Sequence, residues 1–207
     1  MFQGDPLALP GQRIGLLGGS FDPPHEGHVH ISLRALKSIG LDRVWWLVTP
    51  GNPLKADAPA ELSRRVAAAR ALVRHPGIVV TDIEARLGTR YTAETLRLLT
   101  GRYPQIEFTW LMGADNLATI HHWQDWESIF QRVAVGVLAR PGEQIRAGLS
   151  PAARRFARAR RDPADAKGLG LRGAPDWVLL PGPMRDVSST SLRGAGLWDR
   201  QPSGGEV

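Results

Sequence analysis

"GGSFDPPHEGHVH", residues 18–30, opens on a glycine pair, stiffens with a proline pair and carries imidazoles at His25, His28 and His30. Before it runs "RIGLLGG" (13–19), a short apolar stretch that suits a buried strand entering a tight turn. After it, Val29, Leu33, Leu36 and Ile39 recur at helical spacing, with Gly40 as a helix stop. The quoted stretch is therefore the turn between a first strand and a first helix.

The same alternation continues outward. "VWWLV" (44–48) reads as the next buried strand, followed by the proline-rich "TPGNPLK" and by an alanine- and arginine-rich helix from Ser63 to about Arg74. "GIVVTDIE" reads as a strand, "TAETLRLL" as a helix, and "IEFTWLM" as a strand ending at Gly113. Asp125 to Arg132 reads as a helix, "VAVGVLA" and "DWVLL" as strands, and Ser188 or Ser189 as the cap of a short final helix. Strands that are apolar on both faces and alternate with helices predict an α/β fold, a Rossmann-like doubly wound parallel sheet with helices on both faces. Residues 1–12 read as a flexible lead-in, 13–197 as a single domain and 198–207 as a disordered tail. Between Gly142 and Gly173 the pattern is least regular, and "ARRFARARR" (153–161) reads as a basic helix between mobile loops.

Composition narrows the function classes. A chain of 207 residues, 43% of them hydrophobic, can bury its own core without metal or disulfide staples. There is no cysteine, which excludes thiolate chemistry and thiolate-held zinc and fits a reducing, cytoplasmic setting. No apolar run approaches the roughly 20 residues of a membrane helix, and "MFQGDPLALPGQR" lacks the pattern of a signal peptide. The net charge of +6 suits nucleic acid or small polyphosphates as partners. Without interleaved aromatic residues, however, "ARRFARARR" reads as a solvated face rather than a specific nucleic-acid site.

In open α/β sheets, ligands sit beyond the carboxyl ends of the strands at the switch in strand order. Gly18 and Gly19 there would admit a ligand close to the backbone. If a helix starts near His25, then His25 and His28 share a face at its N-terminus, where free N–H groups favour phosphate. Two histidines at this spacing could also hold a metal, but no third ligand has convincing spacing, and no metal site is assigned. His30 lies off this face.

"GGSFDPPHEGH" resembles the signature of the HxGH nucleotidyltransferases, relatives of the class I aminoacyl-tRNA synthetase core. A second stretch, "VSSTSLR" (187–193), resembles that family's "ISSTxxR", which grips ATP phosphates. Hydroxyls, helix-start amides and a guanidinium all donate to phosphate oxygens. Within the superfamily the resemblance is to the bacterial nicotinate mononucleotide adenylyltransferases, and it runs from Arg13 to Arg193. "PGNPLK", "RYTAETL" (with Arg90 where serine is usual), "GADNLATIHHWQDWESI" and "ARPG" carry it.

The resemblance implies adenylyl transfer from ATP to nicotinate mononucleotide in NAD biosynthesis, with Mg²⁺ held mainly by the substrate phosphates. It implies His25, His28, Lys55 and Arg193 as the charge-stabilising set. Gly18, Gly19, Ser20, Phe21, Gly113, Asp115, Ser189 and Thr190 would contact ATP, with Asp115 on the ribose. Tyr91 and Thr92 would receive the nicotinate carboxylate through their backbone, and Trp123 would stack on the pyridine ring. Two rival readings stand beside this one. Phosphopantetheine adenylyltransferase shares both signatures, and a non-catalytic nucleotide- or RNA-binding module could use the same fold. Oligomeric state is left open.

Overall fold

The computed structural model describes residues 5–51, 58–139, 144–182 and 188–200. Among the described residues there are seven strands: β1 (Arg13–Gly19), β2 (Arg43–Val48), β3 (Ile78–Thr81), β4 (Glu107–Gly113), β5 (Ala134–Ala139), β6 (Arg160–Arg161) and β7 (Trp177–Pro181). They form one sheet in the order β3-β2-β1-β4-β5-β7-β6, and every neighbouring pair is parallel. The apolar runs explain the arrangement. In a parallel sheet both faces are covered, so a strand such as "AVGVLA" can be buried along its whole length.

Successive side chains along each strand feed two separate cores. Leu17, Val44, Trp46, Leu111, Leu138 and Val178 pack with α1 (Glu26–Ala35), α2 (Leu62–Leu72) and the π-helical turn Leu36–Gly40. Leu16, Trp45, Trp110, Val137 and Trp177 face the other way. They pack with α3 (Ile83–Leu87), α4 (Thr92–Arg102), α5 (Ala114–Thr119), α6 (Trp126–Arg132), α7 (Gln144–Gly148) and α8 (Pro151–Arg155). A last helix, α9 (Ser189–Gly194), follows β7. The helix after β1 thus lies on one face and the helix after β4 on the other. Since β1 and β4 are neighbours, a crevice opens between their carboxyl ends.

Three expectations need correction. The strand read as "GIVVTDIE" stops at Thr81, whose Oγ1 accepts from the Ile83 amide (3.2 Å) and turns the chain into α3. The basic stretch 153–161 is not one helix. It ends at Phe156, whose ring stacks on Phe130 (4.5 Å, 10°) and whose carbonyl accepts from Trp177 Nε1 (2.8 Å). A 3-10 turn and the short edge strand β6 follow. Three of its five arginines are engaged: Arg155 with Glu127 (3.1 Å), Arg161 with Asp176 (2.6 Å), and Arg160 over the Trp177 ring. Arg154 and Arg158 are exposed, as expected of a solvated face.

The segments read as loose at both ends are also partly built in. Asp5 pairs with Arg86 (2.7 Å) and Arg102, and Trp198 and Arg200 bond to Asp22.

Gly18 shows how tightly the switch point is packed. A Cβ there would overlap the indole of Trp110 on the neighbouring strand. The glycine is thus explained by the core, before any ligand is considered. Gly18→Ala should lower stability by about 1–3 kcal/mol, the usual range for overpacking. Trp110→Leu in the same chain should restore part of that loss. The indole Nε1 has no hydrogen-bond partner among the described residues, so its removal leaves no polar group unpaired. Denaturant melts of the single and double variants test this, and additive losses would contradict it.

Candidate functional site

The turn after β1 is held by its own side chains. His25 is the N-cap of α1, and its Nδ1 accepts from the Gly27 amide (3.2 Å). His28 Nδ1 in turn accepts from the His25 amide (3.1 Å). This reciprocal cap satisfies two free helix-start donors. It also sets both tautomers: with each Nδ1 accepting, each Nε2 is left as an N–H donor. The rings lie 3.8 Å apart.

His28 also contacts the rings of Phe21 (4.7 Å) and Trp46 (5.8 Å). Burial in this aromatic setting, with His25 alongside, pushes its pKa down to about 3. At neutral pH His28 is therefore an uncharged donor. It is half-buried, with its ring against Phe21 and Trp46.

Phe21 sits at φ 47°, a left-handed conformation that costs a non-glycine residue about 1–3 kcal/mol. Its ring is 1% exposed and stacks on Trp46 (4.9 Å, 17°), which holds it there. Asp22, also 1% exposed, is the buried anion of the loop. Burial alone would raise its pKa. Hydrogen bonds from Trp198 Nε1, Arg200 and the Ala60 amide, with the Arg200 charge, hold it below the usual carboxylate range. Arg65, equally buried, donates to the carbonyls of Ala60 (2.6 Å), Ser20 (2.6 Å), Thr49 (2.8 Å) and Pro50 (3.3 Å). It ties α2 to the ends of β1 and β2.

The two signatures meet. Ser188 caps α9 through the Ser191 amide (3.1 Å). Ser189 Oγ donates to the Pro23 carbonyl (2.9 Å), and Arg193 Nη1 donates to the Asp22 carbonyl. Arg193 Nη2 also donates to Thr190 Oγ1 (3.3 Å). Residues 166 and 171 positions apart are therefore joined in one cradle. Gly19 ends β1 against the Phe21 ring. Across the crevice Gly113 ends β4, and the Asp115 carboxylate occupies the space a Gly113 side chain would take.

Tyr91 and Thr92 lie at the start of α4, whose first-turn amides receive no side-chain cap among the described residues. Thr92 is the first helical residue and not its cap. Trp123 ends a 3-10 turn and packs partly against the core. Lys55 lies outside the described residues.

Sequence reasoning assigned no role to Asp22, Arg65, Trp198, Arg200 or Glu84. Glu84 is 5% exposed and accepts from Thr95 Oγ1 (3.1 Å), which also lies 2.8 Å from Thr89 Oγ1. Burial pushes its pKa up to about 7, against opposing hydrogen bonds from Thr95 and Thr49. For a raised carboxyl, the stabilising neutral form is present in full below about pH 4.5 and is lost as pH rises to about 7. Glu84→Gln does not titrate. Its stability relative to the parent should therefore climb by about 3 kcal/mol between pH 4.5 and pH 8, from 2.5 pKa units at 1.36 kcal/mol each. Urea melts at both pH values measure this, and a difference independent of pH would contradict it.

Residues 16–195 match the cytidylyltransferase-like family model. The chain is 60% identical over 204 residues to a protein of Ruegeria pomeroyi described as a "probable nicotinate-nucleotide adenylyltransferase", covering 99% of this chain and 96% of that one. It is 54% identical over 198 residues to a protein of the same description from Roseobacter denitrificans, covering 96% and 100%. Among solved structures it is similar to the Plasmodium falciparum nicotinic acid mononucleotide adenylyltransferase complexed with NaAD. That match has a TM-score of 0.67 at 17% identity over 88% of this chain and 83% of that one, a likeness of fold.

Proposed function

The chain belongs to the cytidylyltransferase-like family of nucleotidyltransferases, and from that premise we propose that it transfers the adenylyl group of ATP to nicotinate mononucleotide, releasing pyrophosphate. The observation that carries this reading is the docking of α9 onto the turn after β1. It gathers two imidazole donors, hydroxyls and a guanidinium at the switch point, a donor set matched to a polyphosphate. Relatives at 54–60% identity over nearly the whole chain carry the matching description.

A phosphate oxygen of nicotinate mononucleotide, ionised at neutral pH, attacks the α-phosphorus of ATP in line. One P–O bond forms, the α–β bridge breaks, and its electron pair leaves with pyrophosphate. No proton has to be removed from the nucleophile. The protein's task is to align the two phosphates and to stabilise charge as it spreads onto the leaving group. His25 and His28 donate through Nε2, and Arg193 and the Thr190 hydroxyl add donors, while the Ser189 hydroxyl, donated to the Pro23 carbonyl, holds α9 on the turn. Lys55 joins them by resemblance.

Asp115, beside Gly113, accepts from the ribose hydroxyls. Trp123 stacks on the pyridine ring, and the uncapped amides at Tyr91 and Thr92 receive the carboxylate. Among the described residues no three carboxylate, imidazole or thiol groups cluster to cage a metal. Mg²⁺, which offsets phosphate charge when bound, is assigned to the substrate oxygens and water. Among the described residues no helix is long and apolar enough to cross a membrane. We place the chain in the cytoplasm on its lack of cysteine.

The helix start assigned to the nicotinate carboxylate generates a preference. A carboxylate accepts from two helix-start amides, each charge-assisted bond contributing about 1.5–3 kcal/mol. The nicotinamide form would set its NH₂ against a donor. Pyrophosphate release, measured with ATP and Mg²⁺, should show kcat/KM about 10- to 150-fold higher for nicotinate mononucleotide than for the amide. It should show no turnover of phosphopantetheine. Equal use of acid and amide would remove the pocket assignment, and turnover of phosphopantetheine alone would overturn the proposed substrate.

A further inference from the structure

Asp22 lies between the φ 47° residue Phe21 and the Pro23 carbonyl that receives Ser189. A carboxylate this buried is costly unless paired and fully hydrogen-bonded. Its partners come from far along the chain. The Ala60 amide reaches Oδ1 at 3.3 Å, just before α2. Trp198 Nε1 reaches the same oxygen at 2.7 Å, and Arg200 Nε reaches Oδ2 at 2.8 Å.

The segment that brings Trp198 and Arg200 is itself secured from α2. Arg64 donates to the Asp199 carbonyl (2.6 Å), and its guanidinium sits 4.4 Å from the centre of the Trp198 ring. The backbone carbonyl of the same Asp22 receives Arg193. One residue thus links the cradle to the chain beyond α9 through its side chain, and to Arg193 through its backbone carbonyl and a longer ion pair (4.0 Å) to Oδ2.

We infer that Trp198 and Arg200 are positioning residues for the ATP phosphates: by holding the Asp22 carboxylate they fix the turn that carries His25 and His28 and the docked Arg193. Neither touches substrate in this account. They hold the donors in place beforehand, so that little ordering is left for ATP to drive when it binds. The effect falls on the ATP half of the crevice. The elements assigned to the pyridine nucleotide, the start of α4 and Trp123, make no hydrogen bond to Asp22 among the described residues. The inference rests on the adenylyl-transfer reading, so the parent chain is assayed first. Absence of pyrophosphate release by the parent would count against that reading rather than against this inference.

The test uses Trp198→Phe, which keeps the ring over Arg64 but removes the N–H, together with Arg200→Ala and Arg200→Lys. Titration calorimetry with adenosine 5′-(α,β-methylene)triphosphate reports ATP-site affinity without turnover. Steady-state kinetics report KM for each substrate. Arg200→Ala and Trp198→Phe should each weaken the analogue about tenfold, equivalent to about 1.4 kcal/mol. KM for ATP should rise in parallel, KM for nicotinate mononucleotide should stay within twofold, and Arg200→Lys should recover part of the loss. A general loosening of the fold would raise both KM values together. Should Arg200→Ala fail to fold, Trp198→Phe and Arg200→Lys carry the test. Folded variants that bind the analogue within twofold of the parent, or that lose affinity for both substrates alike, would overturn the inference.

Discussion

Everything at this site depends on a polarity that the parallel sheet imposes. All strands point the same way, so their carboxyl ends, with the turns and helix starts that follow, lie on one edge. At β1 and β4 the following helices part to opposite faces, and a crevice is left that backbone cannot fill. Its walls therefore have to be shaped by particular residues. Gly18 admits Trp110, Gly113 admits the Asp115 carboxylate, and the His25–His28 cap replaces the missing amide partners of α1. The rest of the chain serves to keep those few residues in register.

That register is kept by polar groups buried beneath the turn. Arg65 closes onto four carbonyls, while Asp22 draws in an indole, a backbone amide and Arg200. Left unpaired, either group would cost several kcal/mol, and paired they specify one arrangement of the loop. The tilted, neutral His28 belongs to the same economy. Its aromatic surroundings that hold the ring also strip its charge, so it acts as a hydrogen-bond donor of fixed direction. Charge comes instead from arginine, with Arg193 already docked on the turn.

Much of this was legible in the sequence, for a physical reason. Strands buried on both faces must be apolar throughout, and "VWWLV" and "VAVGVLA" announce themselves without any partner. The first signature is contiguous, so its glycines, prolines and histidines could be read together. What escaped was long-range or disguised. Trp198 lies 176 residues from Asp22, in a segment whose proline and glycine pair suggest disorder, and nothing local signals the bond between them. Arg65 is one of several arginines in its helix, and only burial distinguishes it. Glu84 follows a strand-like alternation that a single threonine hydroxyl turns into a helix. The basic stretch 153–161 looked uniform, but Phe156 and Trp177 break it from within the core.

The central claim is that the chain catalyses by alignment and charge stabilisation, with the substrate's own phosphate as the nucleophile. The stereochemical course at the α-phosphorus tests it most directly, using ATP made chiral there with oxygen isotopes. A single in-line attack by nicotinate mononucleotide predicts inversion of configuration in the dinucleotide product. Retention would require two displacements through a nucleophile on the protein, and would contradict the account.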